Sequence, residues 1–253
     1  MTRVFEQLAE WRNERATLAA SGCMVGFVPT MGALHPGHRS LLERARAEND
    51  RVVLSIFVNP AQFDDPADLA RYPRNREADL AIAKGLADCV LLPSAEELYA
   101  DDYRFRLTEN ALSLRWEGAH RPGHFEGMLT VVLKLLILVA PHRAYFGEKD
   151  WQQLQLVRGM TQALFLPVTI VPCPTVREAD GLALSSRNRR LSPAARAQAP
   201  AFAQILRSAP DALTAAERLR AAGFGVDYVE EHDGVRLGAV RLEGVRLIDN
   251  ARL

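Results

Sequence analysis

Short apolar runs alternate with helical segments along most of the chain, and this alternation constrains the fold more than any other feature. A strand, a helix and a second strand in that order require a crossover connection, which makes the two strands parallel. The alternation therefore predicts an α/β fold built on an open, doubly wound parallel sheet. The predicted strands are residues 24–30, 51–58, 89–93, 144–146 and 168–172.

The N-terminal segment is predicted to form an amphipathic helix. Its apolar residues recur at helical spacing: Phe5, Leu8, Trp11 and Leu18. Charges occur throughout this segment, which lacks the continuous apolar core of an export signal. The longest apolar run, residues 128–140, is shorter than the ~20 residues that span a bilayer. We expect no membrane segment, no export and a cytoplasmic location.

The pattern changes beyond Pro174. An alanine-rich helical stretch over about 193–222 precedes three short β-like runs separated by Gly-containing turns. This order predicts a second, smaller α+β domain. We place the boundary near Thr175, with a catalytic domain over 1–175 and a C-terminal lid domain over 176–253.

Charge and cysteine content exclude several classes of protein. The chain has 31 Lys and Arg against 31 Asp and Glu, so its net charge is zero. Proteins that coat nucleic acid need an excess of positive charge, and we expect no nucleic-acid partner. The three cysteines lie far apart in apolar stretches, which is typical of reduced core residues in a cytosolic protein.

The segment after the first predicted strand, PTMGALHPGH over 29–38, is a candidate phosphate site. Gly32 and Gly37 allow the backbone to approach a ligand, and the following helix presents N–H groups at its positive end. His35 and His38 can donate hydrogen bonds to phosphate oxygens. Two alternatives stay open on this segment alone: a chance surface pair, or two ligands of a metal. A zinc site would lack further ligands at suitable spacing.

Polar residues also follow two other predicted strands. Asn59 and Gln62 come just after the second strand, and amides recognise hydroxyl and carboxylate groups, although Asn-Pro alone is an ordinary turn. After 144–146, Gly147 would free the backbone and Lys149 supplies a charge suited to phosphate. Asp150 can cap the helix that carries Gln153, although such residues are often solvated surface.

A polar stretch between the two predicted domains combines hydroxyl and guanidinium groups: Ser185, Ser186, Arg187, Arg189 and Arg190. Such groups can clamp a triphosphate or a departing pyrophosphate, and the alternative is an ordinary basic loop. The sequence has no GxxxxGKS or GxxxxGKT phosphate loop, no GxGxxG turn and no GxSxG elbow.

Together these segments resemble the HIGH-motif nucleotidylyltransferase and class I aminoacyl-tRNA synthetase superfamily, in which the Ser-Ser-Arg segment corresponds to the KMSKS element. More specifically, the chain resembles the pantothenate synthetase (pantoate–β-alanine ligase) family, whose domains are a Rossmann-like sheet and a small C-terminal domain. The motifs lie in the expected order along nearly the whole chain: PTMGALHPGH, SIFVNPAQF, DLARYPR, EGAHRPGHFEGM, YFGEKDWQQL, VREADGLALSSRNRRLS and RLIDN.

The resemblance implies ATP-dependent amide formation in two steps. (R)-Pantoate and ATP would give pantoyl adenylate and pyrophosphate, and β-alanine would then displace AMP to give pantothenate. Mg²⁺ would bridge the phosphates, and the family implies a homodimer.

The resemblance also assigns residues. Catalytic roles fall on His38 as proton donor and on His35, Lys149 and Arg187. Substrate binding falls on Asn59, Gln62 and Gln153, with Gln62 also near β-alanine. ATP binding falls on Met31, Gly32, Ala33, Leu34, His35, Pro36, Gly37, His38, Gly147, Glu148, Lys149, Asp150, Val176, Leu184, Ser185, Ser186 and Arg187.

Two features depart from the family pattern. Asp79 matches an acidic position that helps to hold Mg²⁺ in relatives, but Ala78 replaces a second carboxylate, so no protein ligand of the metal is assigned. The C-terminal region looks shorter than is usual. His124 belongs to a family-like loop, where either substrate contact or a shaping role is open.

Three rival functions share part of this pattern. An enzyme that joins a nucleotide to a phosphate-bearing substrate would have the same histidine element, but Gln62 and Gln153 favour a hydroxy-carboxylate. A tRNA synthetase is disfavoured by zero net charge and the lack of an anticodon-binding extension. A nucleotide-binding regulator without turnover would bind ATP and form no AMP.

Overall fold

The computed structural model describes residues 2–253, which form two compact units. The first unit comprises the described residues up to Phe146 together with Gln152–Cys173, and the second comprises Gly147–Trp151 and Pro174–Leu253. The predicted α/β fold class is confirmed, because a six-stranded sheet with helices lies in the first unit and a three-stranded sheet in the second.

The six-stranded sheet has the order β1-β4-β3-β2-β5-β6, and the registered pairs β1–β4, β4–β3, β3–β2 and β2–β5 are parallel. The five strands predicted from sequence are present within a few residues of the expected ranges. The strands are β1 (Arg3–Phe5), β2 (Val25–Thr30), β3 (Arg51–Ile56), β4 (Cys89–Leu91), β5 (Arg143–Gly147) and β6 (Thr169–Cys173).

Among residues 2–253, eight α-helices accompany these strands in chain order. They are α1 (Leu8–Ala20), α2 (Pro36–Glu48), α3 (Pro66–Ala70), α4 (Arg76–Ala83), α5 (Ala95–Leu98), α6 (Glu117–His120), α7 (His124–Val139) and α8 (Trp151–Ala163). Successive residues of a strand point to opposite faces of the sheet, so Phe27 and Val28 of β2 enter two separate apolar clusters. Both side chains are fully buried, as expected for a parallel sheet covered on both faces. Within residues 2–253 no helix has the length and apolar character needed to cross a membrane.

The N-terminal prediction was wrong in one respect. Residues Arg3–Phe5 form an edge strand that pairs in parallel with Cys89–Leu91, and the helix begins only at Leu8. Phe5 and Trp11 still pack together, with ring centroids 5.5 Å apart. A strand of three residues is too short to show an alternation of its own, so its apolar residue was counted as part of the helix.

The second unit contains three helices and an antiparallel sheet in the order β7-β8-β9. Asp233-Gly234 and Glu243-Gly244 link the strands, and all four residues have positive φ, which suits tight hairpins. Phe202 and Leu206 lie in the same apolar cluster as Val240. The elements are α9 (Pro193–Gln198), α10 (Pro200–Ser208), α11 (Ala212–Ala221), β7 (Gly225–His232), β8 (Val235–Leu242) and β9 (Val245–Arg252).

Candidate active site

Residues 30–38, which comprise the end of β2, the loop after it and the first residues of α2, form a segment that we call the histidine loop. Gly32 has φ +79°, and a Cβ at this position would lie 2.9 Å from Asp79 Oδ2. Ala33 also has positive φ, at 51°, which is uncommon for a residue with a side chain. The sharp turn therefore needs Gly32 both for its backbone conformation and for its close neighbour.

Asp79 on α4 fixes this turn. One carboxylate oxygen accepts a hydrogen bond from Ala33 N at 3.0 Å and the other accepts one from Leu34 N at 2.7 Å. Asp79 is buried, and hydrogen bonds to a buried carboxylate are stronger than those between neutral groups. The position that resembled a magnesium ligand is thus engaged with the backbone of the histidine loop.

His35 and His38 cap the N-terminus of α2 reciprocally. Gly37 N donates to His35 Nδ1 at 3.1 Å, and His35 N donates to His38 Nδ1 at 3.4 Å. The two rings lie close together, with centroids 4.1 Å apart. Because both Nδ1 atoms accept from backbone N–H groups, the neutral imidazoles carry their proton on Nε2. Each ring therefore offers an Nε2–H donor at the positive end of a helix of 13 residues.

Gln62 lies in the turn Pro60–Gln62 and is buried. Its Oε1 accepts a hydrogen bond from Asn59 Nδ2 at 2.9 Å, which directs its NH₂ group toward Met31 Sδ, 3.1 Å away. A thioether is a weak acceptor. A substrate carboxylate or hydroxyl would be a better acceptor for the same N–H group.

Asn59 is fully buried and is held by protein groups. Its Nδ2 also donates to Gly127 O at 3.1 Å, and its Oδ1 accepts from Tyr99 OH at 2.6 Å. Burial raises the pKa of the Tyr99 phenol, which keeps this hydroxyl protonated as a donor. The geometry does not support the expectation that Asn59 touches substrate directly, because its side chain is surrounded by protein and orients Gln62.

His124 holds the backbone of the same turn. Its Nδ1 lies 2.8 Å from Gln62 O, which can only accept, so Nδ1 carries the proton and Nε2 accepts from Arg121 at 3.1 Å. Arg121 also pairs with Asp64 at 3.0 Å. Burial opposes ionisation of Asp64, but the adjacent Arg121 charge outweighs it and lowers the pKa of this carboxyl. His124 therefore shapes the turn that carries Gln62.

The last predicted substrate residue of the first unit is Gln153, which is half-buried in the first turn of α8. Its neighbour Gln152 is buried and donates to Leu112 O and Arg115 O, both at 2.8 Å. The two glutamines thus differ: Gln152 holds a neighbouring loop, and Gln153 is the one with exposed surface.

In the second unit, the 3₁₀ turn Glu148–Asp150 carries Lys149 and is called the lysine turn below. Lys149 Nζ lies 3.8 Å from Asp150 Oδ1, and its side chain is mostly buried. Gly147 has φ −71°, so its backbone is ordinary, and a Cβ would meet no atom within 4 Å. The expectation that Gly147 is needed for backbone freedom was therefore wrong. Open space is left where its side chain would lie.

The remaining predicted ATP residues lie on one hairpin and the turn after it. Leu184 N donates to Val176 O at 3.0 Å, which closes the hairpin. Ser185 Oγ then accepts from Arg187 N at 3.2 Å and caps the 3₁₀ turn Ser186–Arg190. Asn188, the buried residue of this turn, donates to Ala183 O at 3.0 Å. Val176, Leu184, Ser185, Ser186 and Arg187 are thus brought together within the second unit.

The described residues do not fit a metal site made by the protein alone. Within residues 2–253 no group of three or more His, Cys, Asp and Glu is arranged to hold a metal ion. Asp79, the candidate from sequence, already accepts two backbone N–H groups, and Ala78 has no ligand atom.

Sequence reasoning missed several residues that hold the site. Tyr99 had no motif signal, and Asp79 was noticed only as a metal candidate. Asp249 and Asn250 lie in the RLIDN motif, for which the sequence indicated no role. Their contacts join residues 40 to 102 positions apart, which a pattern of neighbouring residues does not reveal.

Comparisons with known proteins agree over the whole chain. The family model described as pantoate-beta-alanine ligase matches residues 3–252. A pantothenate synthetase from Bdellovibrio bacteriovorus is 50% identical over 254 residues, which is 100% of both chains. One from Legionella pneumophila is 48% identical over 249 residues, 98% of each chain. The C-terminal region that looked shortened is therefore no departure from these relatives.

Solved structures give the same result. A Francisella tularensis pantoate-beta-alanine ligase, described as complexed with beta-gamma ATP and beta-alanine, has a TM-score of 0.94 at 37% identity and covers 100% of this chain and 98% of its own. A Thermus thermophilus pantothenate synthetase has a TM-score of 0.90 at 43% identity, with 99% of both chains covered. From the family match and these full-length relatives, the chain belongs to the pantoate–β-alanine ligase family.

Proposed function

We propose that this chain condenses (R)-pantoate with β-alanine at the expense of ATP, giving pantothenate, AMP and pyrophosphate through pantoyl adenylate. Besides family membership, one observation carries the proposal. His35 and His38 cap the N-terminus of α2 through Nδ1 and so present Nε2–H donors there. Donors fixed in advance at a positive helix end suit the charge that develops on phosphate during adenylation.

The reaction needs two displacements. In the first, a carboxylate oxygen of pantoate attacks the α-phosphorus of ATP, and the bond from phosphorus to pyrophosphate breaks. In the second, the neutral amine of β-alanine attacks the acyl carbon, the bond to AMP breaks and the amine loses a proton. A carboxylate is a poor acyl donor, and adenylation supplies the leaving group. The protein contributes placement and charge stabilisation.

The proposed ATP residues fall into two sets. The first unit supplies the histidine loop, in which Met31 to His38 contact the nucleotide and His38 is the proton donor. The second unit supplies Gly147 to Asp150, Val176 and Leu184 to Arg187. Lys149, Ser185, Ser186 and Arg187 contact phosphates, because a point charge, hydroxyls and a guanidinium all suit phosphate oxygens. The space beside Gly147 leaves room for a ligand.

For the substrate carboxylate, we assign the donor role to Gln62 and Gln153. The hydrogen bond from Asn59 turns the Gln62 amide so that its N–H group, now beside Met31 Sδ, is the group presented to a ligand. Asn59 then acts through Gln62.

Mg²⁺ is proposed to accompany ATP, where it would offset the negative charge of the phosphate groups. No step is assigned to it, since the described residues offer no protein cage. A homodimer, a cytoplasmic location and the lid role of residues 176–253 are further proposals that come from the family.

Omission of each substrate in turn tests the function. The purified chain is incubated with ATP, Mg²⁺, (R)-pantoate and β-alanine, and the products are identified by mass spectrometry. Pantothenate should form only in the complete mixture, and pyrophosphate should also form without β-alanine. A folded chain that binds ATP and forms no AMP in any mixture would contradict the proposal and favour a nucleotide-binding regulator.

A further inference from the structure

The lysine turn belongs to the second unit, although β5 precedes it and α8 follows it in the chain. Its contacts there come from the end of β9, where the terminal motif RLIDN places Asp249 and Asn250. Neither residue has a role in the function described so far.

Asn250 binds the backbone of the lysine turn with both N–H bonds of its amide. Its Nδ2 donates to Glu148 O at 2.8 Å and to Lys149 O at 3.0 Å. These two carbonyls belong to the peptide groups on either side of the Lys149 Cα. Because each peptide group is planar, fixing both orientations fixes φ and ψ of Lys149 and hence the direction in which its side chain leaves the backbone.

Asp249 binds the other segment of the second unit that is proposed to contact phosphate. Its carboxylate forms two hydrogen bonds with Arg177, at 2.6 and 2.9 Å, and is buried. Arg177 lies on the hairpin that Leu184 N and Val176 O close, directly before Ser185. Two neighbouring residues of one strand therefore hold both the lysine turn and the hairpin that leads to Ser185.

We propose that Asn250 is a positioning residue for Lys149, acting through the Glu148 and Lys149 carbonyls and making no contact with substrate itself. This inference rests on the proposed function, in which Lys149 contacts phosphate. The ammonium group of a lysine lies at the end of a flexible chain of four carbons. A fixed backbone conformation at Lys149 therefore limits the positions that its Nζ can reach. Misplacement of a reacting group by about 1 Å can cost up to 10²-fold in rate.

A double-mutant cycle separates positioning from general stability. Asn250→Ala should lower kcat for AMP formation by about 10- to 100-fold in the otherwise unchanged chain. In a Lys149→Ala background the same substitution should change kcat by less than about 2-fold, because residues that act as a unit are not additive. If Asn250→Ala lowers kcat by the same factor in the Lys149→Ala background as in the otherwise unchanged chain, the proposal is overturned.

The matched control is Gln198→Ala. Gln198 is also half-buried in the second unit and also donates from its side-chain amide to a backbone carbonyl, that of Ala222, but it lies away from the lysine turn. It should leave kcat unchanged. A loss equal to that of Asn250→Ala would mean that any such loosening of the unit impairs turnover, which contradicts a specific role.

Hydrogen exchange of residues 147–151 supplies a readout that does not depend on activity. Without ligand, exchange there should be faster in Asn250→Ala than in Gln198→Ala, and equal exchange would overturn the proposal. If Asn250→Ala fails to fold, Asn250→Ser, which keeps one O–H donor, is measured in the same way and should still exchange faster than Gln198→Ala. An inactive wild-type chain would overturn the proposed function, whereas an active one with an additive cycle would overturn this inference alone.

Discussion

The histidine loop of the first unit and the lysine turn of the second are held by different kinds of contact. His35 and His38 cap one helix with hydrogen bonds that span two or three residues, and a single distant carboxylate, Asp79, supports the loop from 45 residues away. The lysine turn depends on Asn250, about 100 residues away. The first arrangement is largely local, and the second is set by the end of the chain.

The largest expected effect is a loss of turnover on substitution of His38 in the locally held histidine loop. His38→Ala should lower turnover by about 10²-fold or more, as loss of a charge-stabilising donor does elsewhere, with the fold retained. His38→Gln places an amide near the position of Nε2, and His38→Asn places one near Nδ1. If the donor is Nε2–H, Gln should restore more activity than Asn in a steady-state assay. Better rescue by Asn would show that the cap matters more than the donor.

Asp79 tests how far the histidine loop depends on a distant group. Asp79→Ala leaves two backbone N–H groups without their acceptor and should lower the free energy of unfolding by about 3 kcal/mol. The free energy of unfolding of Asp79→Asn should lie between those of the unchanged chain and Asp79→Ala, because the asparagine keeps one acceptor oxygen while its NH₂ group faces a backbone N–H donor. Denaturant titration gives the values, with Glu77→Gln on the exposed surface of the same helix as a control. A loss under about 0.5 kcal/mol, typical of a surface change, would show that the loop holds itself.

The sequence predicted the local half of this comparison better than the distant half. The sequence predicted strand β2 because its apolar residues are neighbours in the chain, and it singled out His35 and His38 without predicting that they cap α2. Strand β1 was missed because Arg3–Phe5 is stabilised by pairing with Cys89–Leu91 rather than by its own pattern. The roles of Asp79, Tyr99 and Asn250 arise only when folding joins distant segments. Asn59 was predicted to bind substrate, and its burial could not be inferred from an Asn-Pro turn.

Tyr99 extends the comparison to Gln62, the residue of the first unit that is proposed to bind substrate. Tyr99→Phe removes the donor to Asn59 Oδ1 and should cost about 1 kcal/mol of stability. We expect a several-fold higher KM for pantoate with little change in kcat, because Gln62 is less well oriented. Since burial raises the pKa of Tyr99, its ionisation should not limit activity up to about pH 10. An unchanged KM would show that the orientation of Asn59 does not affect pantoate binding.

The smallest effect concerns an ion pair of the second unit away from the lysine turn. Asp227 contacts Arg246 and Arg241, at 2.6 and 3.0 Å. Burial raises the pKa of Asp227, but these partners outweigh it and lower the pKa below its ordinary value. Its stabilisation is therefore complete above the ordinary carboxyl pKa of about 4 and is lost as pH falls through the lower folded value.

Asp227→Asn should thus cost about 1 kcal/mol at pH 7 and progressively less in acid, with kcat unchanged. Thermal unfolding at several pH values measures this. A penalty that grows as pH falls would contradict the assignment of a lowered pKa.

Transfer of oxygen from pantoate to AMP tests the central claim most directly. Pantoate labelled with ¹⁸O in its carboxylate is converted in the complete mixture, and the AMP is analysed by mass spectrometry. Attack of the carboxylate on the α-phosphorus predicts one ¹⁸O in each AMP formed. AMP without label, or label in phosphate accompanied by ADP, would contradict an adenylate and with it the function proposed for this chain.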